Sequence, residues 1–328
     1  MQRAVKNLFK SARDRVRFNK RWFFLFYFLA GTPYLILTGP FRSPDERNHF
    51  LRSYEISEFR LYPFRVSGGY PGDNLPSSLS RLSEALGYHA DHHIQPAQIN
   101  QGRSLSLEPE RREFAEFSTS AVYSPLAYVP SAVSIAVGRA GGAGPLALVY
   151  FARWGNLLVG AWLISLAMSY AGFARPAALI VALFPMTLAQ VASVSADAMT
   201  YGLSFLWIAI VMETAVGKKV GVSRKEIVLL VCLALVLSQL RPPYPLLGLL
   251  VFLAPVKRFG GKAAILVCSA VILAIFLPAA AWNTAAARLF VNPIVEQDIE
   301  PAGQLAWVVK HPGGVLAPRE TRSQEERA

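Results

Sequence analysis

The sequence predicts an all-α polytopic membrane protein of about seven transmembrane helices with a large first extracytoplasmic loop. Three observations predict it. Hydrophobic residues make up 53% of the 328-residue chain and charged ones only 16%, and the mean hydropathy of +0.34 is too apolar for an ordinary soluble chain of this length. Apolar runs of spanning or near-spanning length recur along it. The formal charge of +12 is uneven: the first 21 residues hold eight lysines and arginines against Asp14 alone. That is the positive-inside signature of a cytoplasmic tail. A nucleic-acid arm is set aside because no recognition fold follows the tail. Cys232 and Cys268 lie inside apolar runs and read as small buried hydrophobes, with no disulfide framework.

After the basic tail (1–21), Trp22 to Thr38 is a first span at 22–38. A signal peptide is the competing reading, but the leader is long and many apolar runs follow. The segment 39–145 is slightly acidic over 41–120, and no lysine occurs between Arg21 and Lys218, as expected of an external loop. Within it 121–138 carries Pro125 and Pro130, which break helical hydrogen bonding. If this run spanned, Lys218, Lys219, Arg224 and Lys225 would fall outside. If it only touches the membrane, both later basic loops and Arg175 join the tail inside, which the positive-inside rule prefers.

A bundle over 146–282 then follows: 146–171 inward, 176–194 outward, 199–216 inward, 227–240 outward, 246–256 inward and 263–282 outward. The short runs 227–240 and 246–256, joined by Arg241-Pro242-Pro243-Tyr244, are a tight pair of spans or one re-entrant hairpin. The tail 283–328 is external.

This layout collects candidate groups on one face. Asp197 stands in a turn between apolar runs; it is a helix cap or a functional carboxylate, since ionisable groups in membrane segments are usually functional. For Asp45 and Glu46, a capping box with Ser43 as N-cap and Pro44 at the first position is the structural reading. A rigid start is also what a catalytic carboxylate needs. His49 and Arg52 lie about one and two turns on, so they share a face with Asp45. Arg153 and Arg241 snorkel to the interface or bind an anionic head group. Tyr244 follows two prolines that hold the backbone. His89, Asp91, His92 and His93 form a solvated loop or a metal cluster, with spacing that matches no strong zinc pattern.

The stretches "FRSPDERNHFLRSYEIS", "YSPLAYVPSA", "YFARWGNLL", "QVASVSADAM" and "QLRPPYPLL" together resemble a bacterial family of multi-span membrane proteins of undefined function related to the C-type (GT-C) glycosyltransferases. The resemblance implies a GT-C-like fold in the bacterial inner membrane and a polyprenyl-phosphate-linked sugar donor used on the outer face. It also implies a glycan or lipid acceptor and acids at Asp45, Glu46 and Asp197 that assist the acceptor or hold a divalent cation. His49, Arg52, Arg153, Arg241 and Tyr244 become the substrate-binding set. Family members usually continue with further spans, so the polar end after 312 suggests truncation or a frame shift. A flippase for lipid-linked glycans and a non-catalytic assembly partner are the alternatives.

Overall fold

The computed structural model describes residues 18–66, 69–88, 94–216, 221–261, 263–289 and 301–311, and is mostly helical. The His89 to His93 cluster lies outside the described residues. The chain divides into two compact units, Met1–Phe290 and Val291–Ala328.

Helix α1 (Lys20–Leu37) starts at Asn19, whose side chain accepts from the N–H groups of Arg21 and Trp22. Tyr27, Gly31 and Leu35 are its buried residues, four apart and therefore on one stripe. Trp22, Phe26, Leu29 and Leu37 are apolar side chains exposed on its other faces.

The segment after α1, called the loop domain below, packs with the helical bundle in the same compact unit. It contains α2 (Glu46–Ser57), β1 (Phe64–Arg65), β2 (Pro71–Pro76), α3 (Ser77–Ala85), α4 (Pro96–Ser104), β3 (Arg112–Glu116), the short α5 (Ser118–Ala121) and α6 (Val129–Ala140). The expected all-α fold thus carries one antiparallel three-stranded sheet, ordered β1-β2-β3. Gly72 pairs with Phe64 on one side and Glu116 on the other. A Cβ there would sit 2.1 Å from the Ala115 carbonyl oxygen, so only glycine allows the strands to close. Phe50, Leu51, Tyr54, Leu75, Leu79 and Leu82 are fully buried in the domain core, each such side chain contributing about 1.5–3 kcal/mol relative to exposure.

The capping box expected at Ser43 and Pro44 is absent. Helix α2 begins at Glu46, and Asp45 stands at the cap position with φ 55° and no side-chain capping bond. The reason is that the Glu46 carboxylate is drawn elsewhere, as described below.

Helix α7 (Pro145–Tyr170) is central, with α1, α6 and α10 (Asp197–Val216) packed on it. Gly155 lets α6 approach; a Cβ there would meet Ser134 Oγ at 2.1 Å. The run expected as a span at 176–194 is built as α8 (Arg175–Ala182) and α9 (Pro185–Val191), bent by 78° and either one broken span or a re-entrant pair. Phe184 ahead of Pro185 is extended, with ψ 135°, as a pre-proline residue prefers. Beyond α10 come α11 (Arg224–Leu237), a 3₁₀ segment Tyr244–Leu253 and α12 (Ala263–Ala286). The stretch 246–256 is therefore a short 3₁₀ helix packed against α10 and α12.

Among the described residues, three helical stretches are long and apolar enough to cross a membrane: α7, α10 and α12 with its extension to Leu289. A fourth is added if α8 and α9 form one bent span. Helix α1 starts on Lys20 and Arg21 and is not among them. Cys232 is exposed and Cys268 half-buried, both free. The expectation of buried cysteines fails because α11 buries Leu230, Leu233, Ala234 and Leu237, leaving Cys232 on the outward surface. In the second unit, α13 (Pro301–Lys310) is a single helix whose Trp307 ring stacks on His311.

Contacts sort the first unit into two ends. At one, the C-terminus of α1, the start of α7 and the 192–196 turn meet the loop domain, while Ser124 donates to Gln239 Oε1 at 3.0 Å. At the other, Arg175 stacks on Phe18, and Val222 donates to the Arg258 carbonyl.

Candidate functional site

The loop-domain end gathers most of the sequence-derived candidates. Glu46 and Arg153 form its frame, both buried to within 1% exposure. Arg153 Nε and Nη2 donate to the two Glu46 oxygens at 2.7 and 2.6 Å. Arg153 Nη1 donates to the Leu35 and Thr38 carbonyls and Nη2 to that of Gly39. Glu46 also accepts from the Phe41 N–H at 2.9 Å and the Val194 N–H at 3.0 Å. One bidentate pair therefore ties the end of α1, the start of α2, α7 and the 192–196 turn together. Snorkelling and head-group binding were the two readings of Arg153; its donors are instead directed at protein acceptors.

Arg52 is likewise internal. It pairs with Glu55 and donates to the Leu61 and Tyr123 carbonyls, at 2.9 and 3.4 Å. It thus holds the backbone of Tyr123.

The open part of the site is built on this frame. Asn156 donates to the Ser193 and Ser195 carbonyls at 2.8 and 3.0 Å, and Ser195 Oγ accepts from the Asp197 N–H at 3.1 Å. Asp197 is thereby both the first residue of α10, where the helix dipole favours an anion, and the partner of Arg241. The Arg241 Nη1 to Asp197 Oδ1 distance is 3.3 Å, and the Arg241 side chain is 30% exposed. Arg241 lies over the Tyr123 ring at 5.2 Å, and its buried Nε has no hydrogen-bond partner.

Tyr123 stacks with His49 at 6.1 Å between centroids. His49 Nδ1 and the Tyr128 hydroxyl share a hydrogen bond of 2.7 Å. Burial, and secondarily the Arg241 charge, push the His49 pKa down to about 3, so the ring is neutral at physiological pH. Asp45 is exposed on a left-handed backbone, a conformation Asp tolerates at some cost. It precedes Glu46, whose carboxylate bonds Val194 three residues before Asp197. Tyr244 follows in the same turn as Arg241, its N–H donating to the Arg241 carbonyl at 3.0 Å.

His49, Asp197, Arg241 and Tyr244 thus converge with Tyr123 and Tyr128, while Glu46, Arg52 and Arg153 hold the elements that carry them; Asp45 stands exposed at the start of α2, next to the Glu46 frame. Tyr123 and Tyr128 belong to the cluster and were missed in the sequence; the signal was two tyrosines five apart astride Pro125 in "YSPLAY". A divalent cation fits poorly. Among the described residues no three His, Cys, Asp or Glu side chains come together as ligands, and Arg241 already opposes the Asp197 charge. Chemically, the arrangement offers a partly exposed guanidinium paired with a carboxylate and an aromatic ring beneath it.

A family model described as "Predicted membrane protein (DUF2142)" matches residues 28–318. No curated protein and no solved structure matches.

Proposed function

The chain belongs to the DUF2142 family of predicted membrane proteins, and from that premise we propose that it is a membrane glycosyltransferase of GT-C type. In this reading it transfers a sugar from a polyprenyl-phosphate donor to a glycan or lipid acceptor of the cell envelope. About seven crossings, with the N-terminus in the cytoplasm of the bacterial inner membrane, put the loop-domain end outside.

The observation that carries the reading is the Asp197–Arg241 pair, whose guanidinium side chain is 30% exposed and lies over the Tyr123 ring; the exposed Asp45 heads α2, the helix that brings His49 to the same ring. The acceptor hydroxyl attacks the anomeric carbon and gives its proton to the Asp45 carboxylate. The bond from that carbon to the phosphate oxygen breaks, and its electron pair leaves with the polyprenyl phosphate, whose charge Arg241 meets. Asp197 holds Arg241, and Tyr123 and Tyr244 offer aromatic surface to the sugar. No step runs through a metal. A positioned base of this kind is worth about 10²–10⁴-fold, so Asp45→Asn should lower transfer by that factor in proteoliposomes fed labelled lipid-linked sugar, with the protein still inserted. Undiminished transfer by that variant would sink the assignment.

The 78° break between α8 and α9 favours a second reading, a flippase for lipid-linked glycans, since transporters use broken helices. Vesicle transport that survives loss of both Asp45 and Asp197 would select it.

A further inference from the structure

Residues 59–66, between α2 and β2, present apolar side chains that are exposed among the described residues. Phe59 is 90% exposed and adopts a left-handed φ of 61°, which a bulky residue rarely holds. Leu61, Phe64 and Val66 are exposed beside it. Were the loop domain simply standing in water, these would be the side chains to make polar.

The loop is fastened to the end of α12. The Tyr62 hydroxyl donates to the Ala285 carbonyl and accepts from Arg288 Nε at 2.9 Å, and its ring meets Trp282 edge-on at 6.2 Å. Trp282 in turn donates Nε1 to the Val122 carbonyl at 2.9 Å. Helix α12 is one of the three spanning candidates, and Ile265, Leu266, Leu273 and Leu277 on it are exposed. A tryptophan and a tyrosine at the end of such a helix mark the level of the lipid head groups. The loop therefore leaves the protein at that level.

A second exposed surface continues from it. Arg139, in the last turn of α6, donates to the Ser57 carbonyl at 3.2 Å and to Glu58 at 3.1 Å, next to Phe59. Val129, Val133 and Val137, four apart on α6, are exposed opposite its packed face. Arg60 and Arg65 flank the apolar tip, their guanidinium groups bonded to Asp73 and to the Gly69 carbonyl.

We propose that the Phe59–Val66 loop is an interfacial anchor: Phe59, Leu61 and Val66 enter the leaflet that surrounds the end of α12 and hold the loop domain against the membrane. The occupant is lipid because the exposed loop is fastened to the end of a helix long and apolar enough to span a membrane, at its interfacial Trp282. This does not depend on the transferase reading.

The test uses the full chain with Cys232 and Cys268 replaced by serine. A single cysteine is placed at Phe59, at Leu61 or, as the reference, at the exposed Asn100 of α4, and labelled with an environment-sensitive nitrobenzoxadiazole dye. In liposomes of phosphatidylethanolamine and phosphatidylglycerol, lipid carrying a doxyl quencher near the head group should quench positions 59 and 61 several-fold more than position 100, with blue-shifted emission. Equal quenching at all three positions would overturn the proposal. So would a blue shift at 59 and 61 without quenching, which would mean that protein, such as a second copy of the chain, covers the loop. The two reporters keep the result decisive if one variant fails to insert.

Discussion

Replacing Arg153 by Met removes the guanidinium from a site where every donor has an acceptor. Its five N–H groups make two bonds to Glu46 and three to the carbonyls of Leu35, Thr38 and Gly39. The Met side chain fills much of the volume, so the packing loss is small; what remains is a carboxylate with 0% exposure and no cation. Breaking a buried pair from one side costs about 3–5 kcal/mol. The two backbone N–H bonds that Glu46 retains, from Phe41 and Val194, argue for the lower half of that range. Arg153→Lys keeps the charge but loses the fork that meets both oxygens and three carbonyls, and should cost about 1–3 kcal/mol. Glu46→Gln with Arg153→Met removes the stranded charge, so the double variant should be more stable than Arg153→Met alone. Reversible unfolding of the purified chain in mixed micelles, followed by circular dichroism, gives the three values. A loss below about 0.5 kcal/mol for Arg153→Met, the level of an ordinary surface change, or a double variant no better than the single one, would refute the clasp.

Other outcomes follow from the same geometry. The Arg241 side chain is 30% exposed but Asp197 is buried, so Arg241→Gln should cost stability, by about 1–3 kcal/mol, and Asp197→Asn with Arg241→Gln should recover part of it while transfer stays lost; transfer at the wild-type rate in a folded Arg241→Gln would contradict this. His49 is neutral when folded, with a pKa of about 3 against about 6.5 unfolded. Its contribution is therefore complete above pH 6.5 and lost as pH falls towards 3, at about 1.4 kcal/mol per pH unit. Denaturant titrations at pH 7.5 and 5.5 should differ by about 1.4 kcal/mol in the wild type and by less in His49→Gln. Gly72→Ala should destabilise the loop domain by more than about 1 kcal/mol, because its Cβ would meet the Ala115 carbonyl at 2.1 Å; limited proteolysis of the 60–116 region reads this directly.

Features with a local period were legible in the sequence. The long apolar runs of α7, α10 and α12 set their own limits to within a few residues, and α1 followed its aromatic run. The bend between α8 and α9 was not legible because composition does not register a turn, although Pro185 marked its place. The sheet was missed because β1 has two residues and β2, "PGDNLP", lacks a strand pattern; tertiary pairing imposed it. In the site, Asp45 and Asp197 were picked out by their place at the ends of apolar runs. What local pattern could not supply was the partnership of Glu46 with Arg153, 107 residues away, or the seating of Arg52 on Glu55. Long-range pairing gave these residues a structural task where spacing suggested ligand contact. The same limit hid Tyr123 and Tyr128, which reach the site only because α2 delivers His49 to them.

The central claim, that the cluster around Arg241 receives the phosphate of a lipid-linked sugar, is tested most directly by photo-crosslinking. A polyprenyl-phosphate sugar bearing a diazirine beside the phosphate is bound to the purified full chain in nanodiscs, and labelled peptides are mapped by mass spectrometry. The account predicts labelling of 239–246 and 120–128, competed by unlabelled donor and lost in Arg241→Gln. Labelling that spreads over the exposed surface of α12, indifferent to competitor and to the Arg241 change, would contradict it.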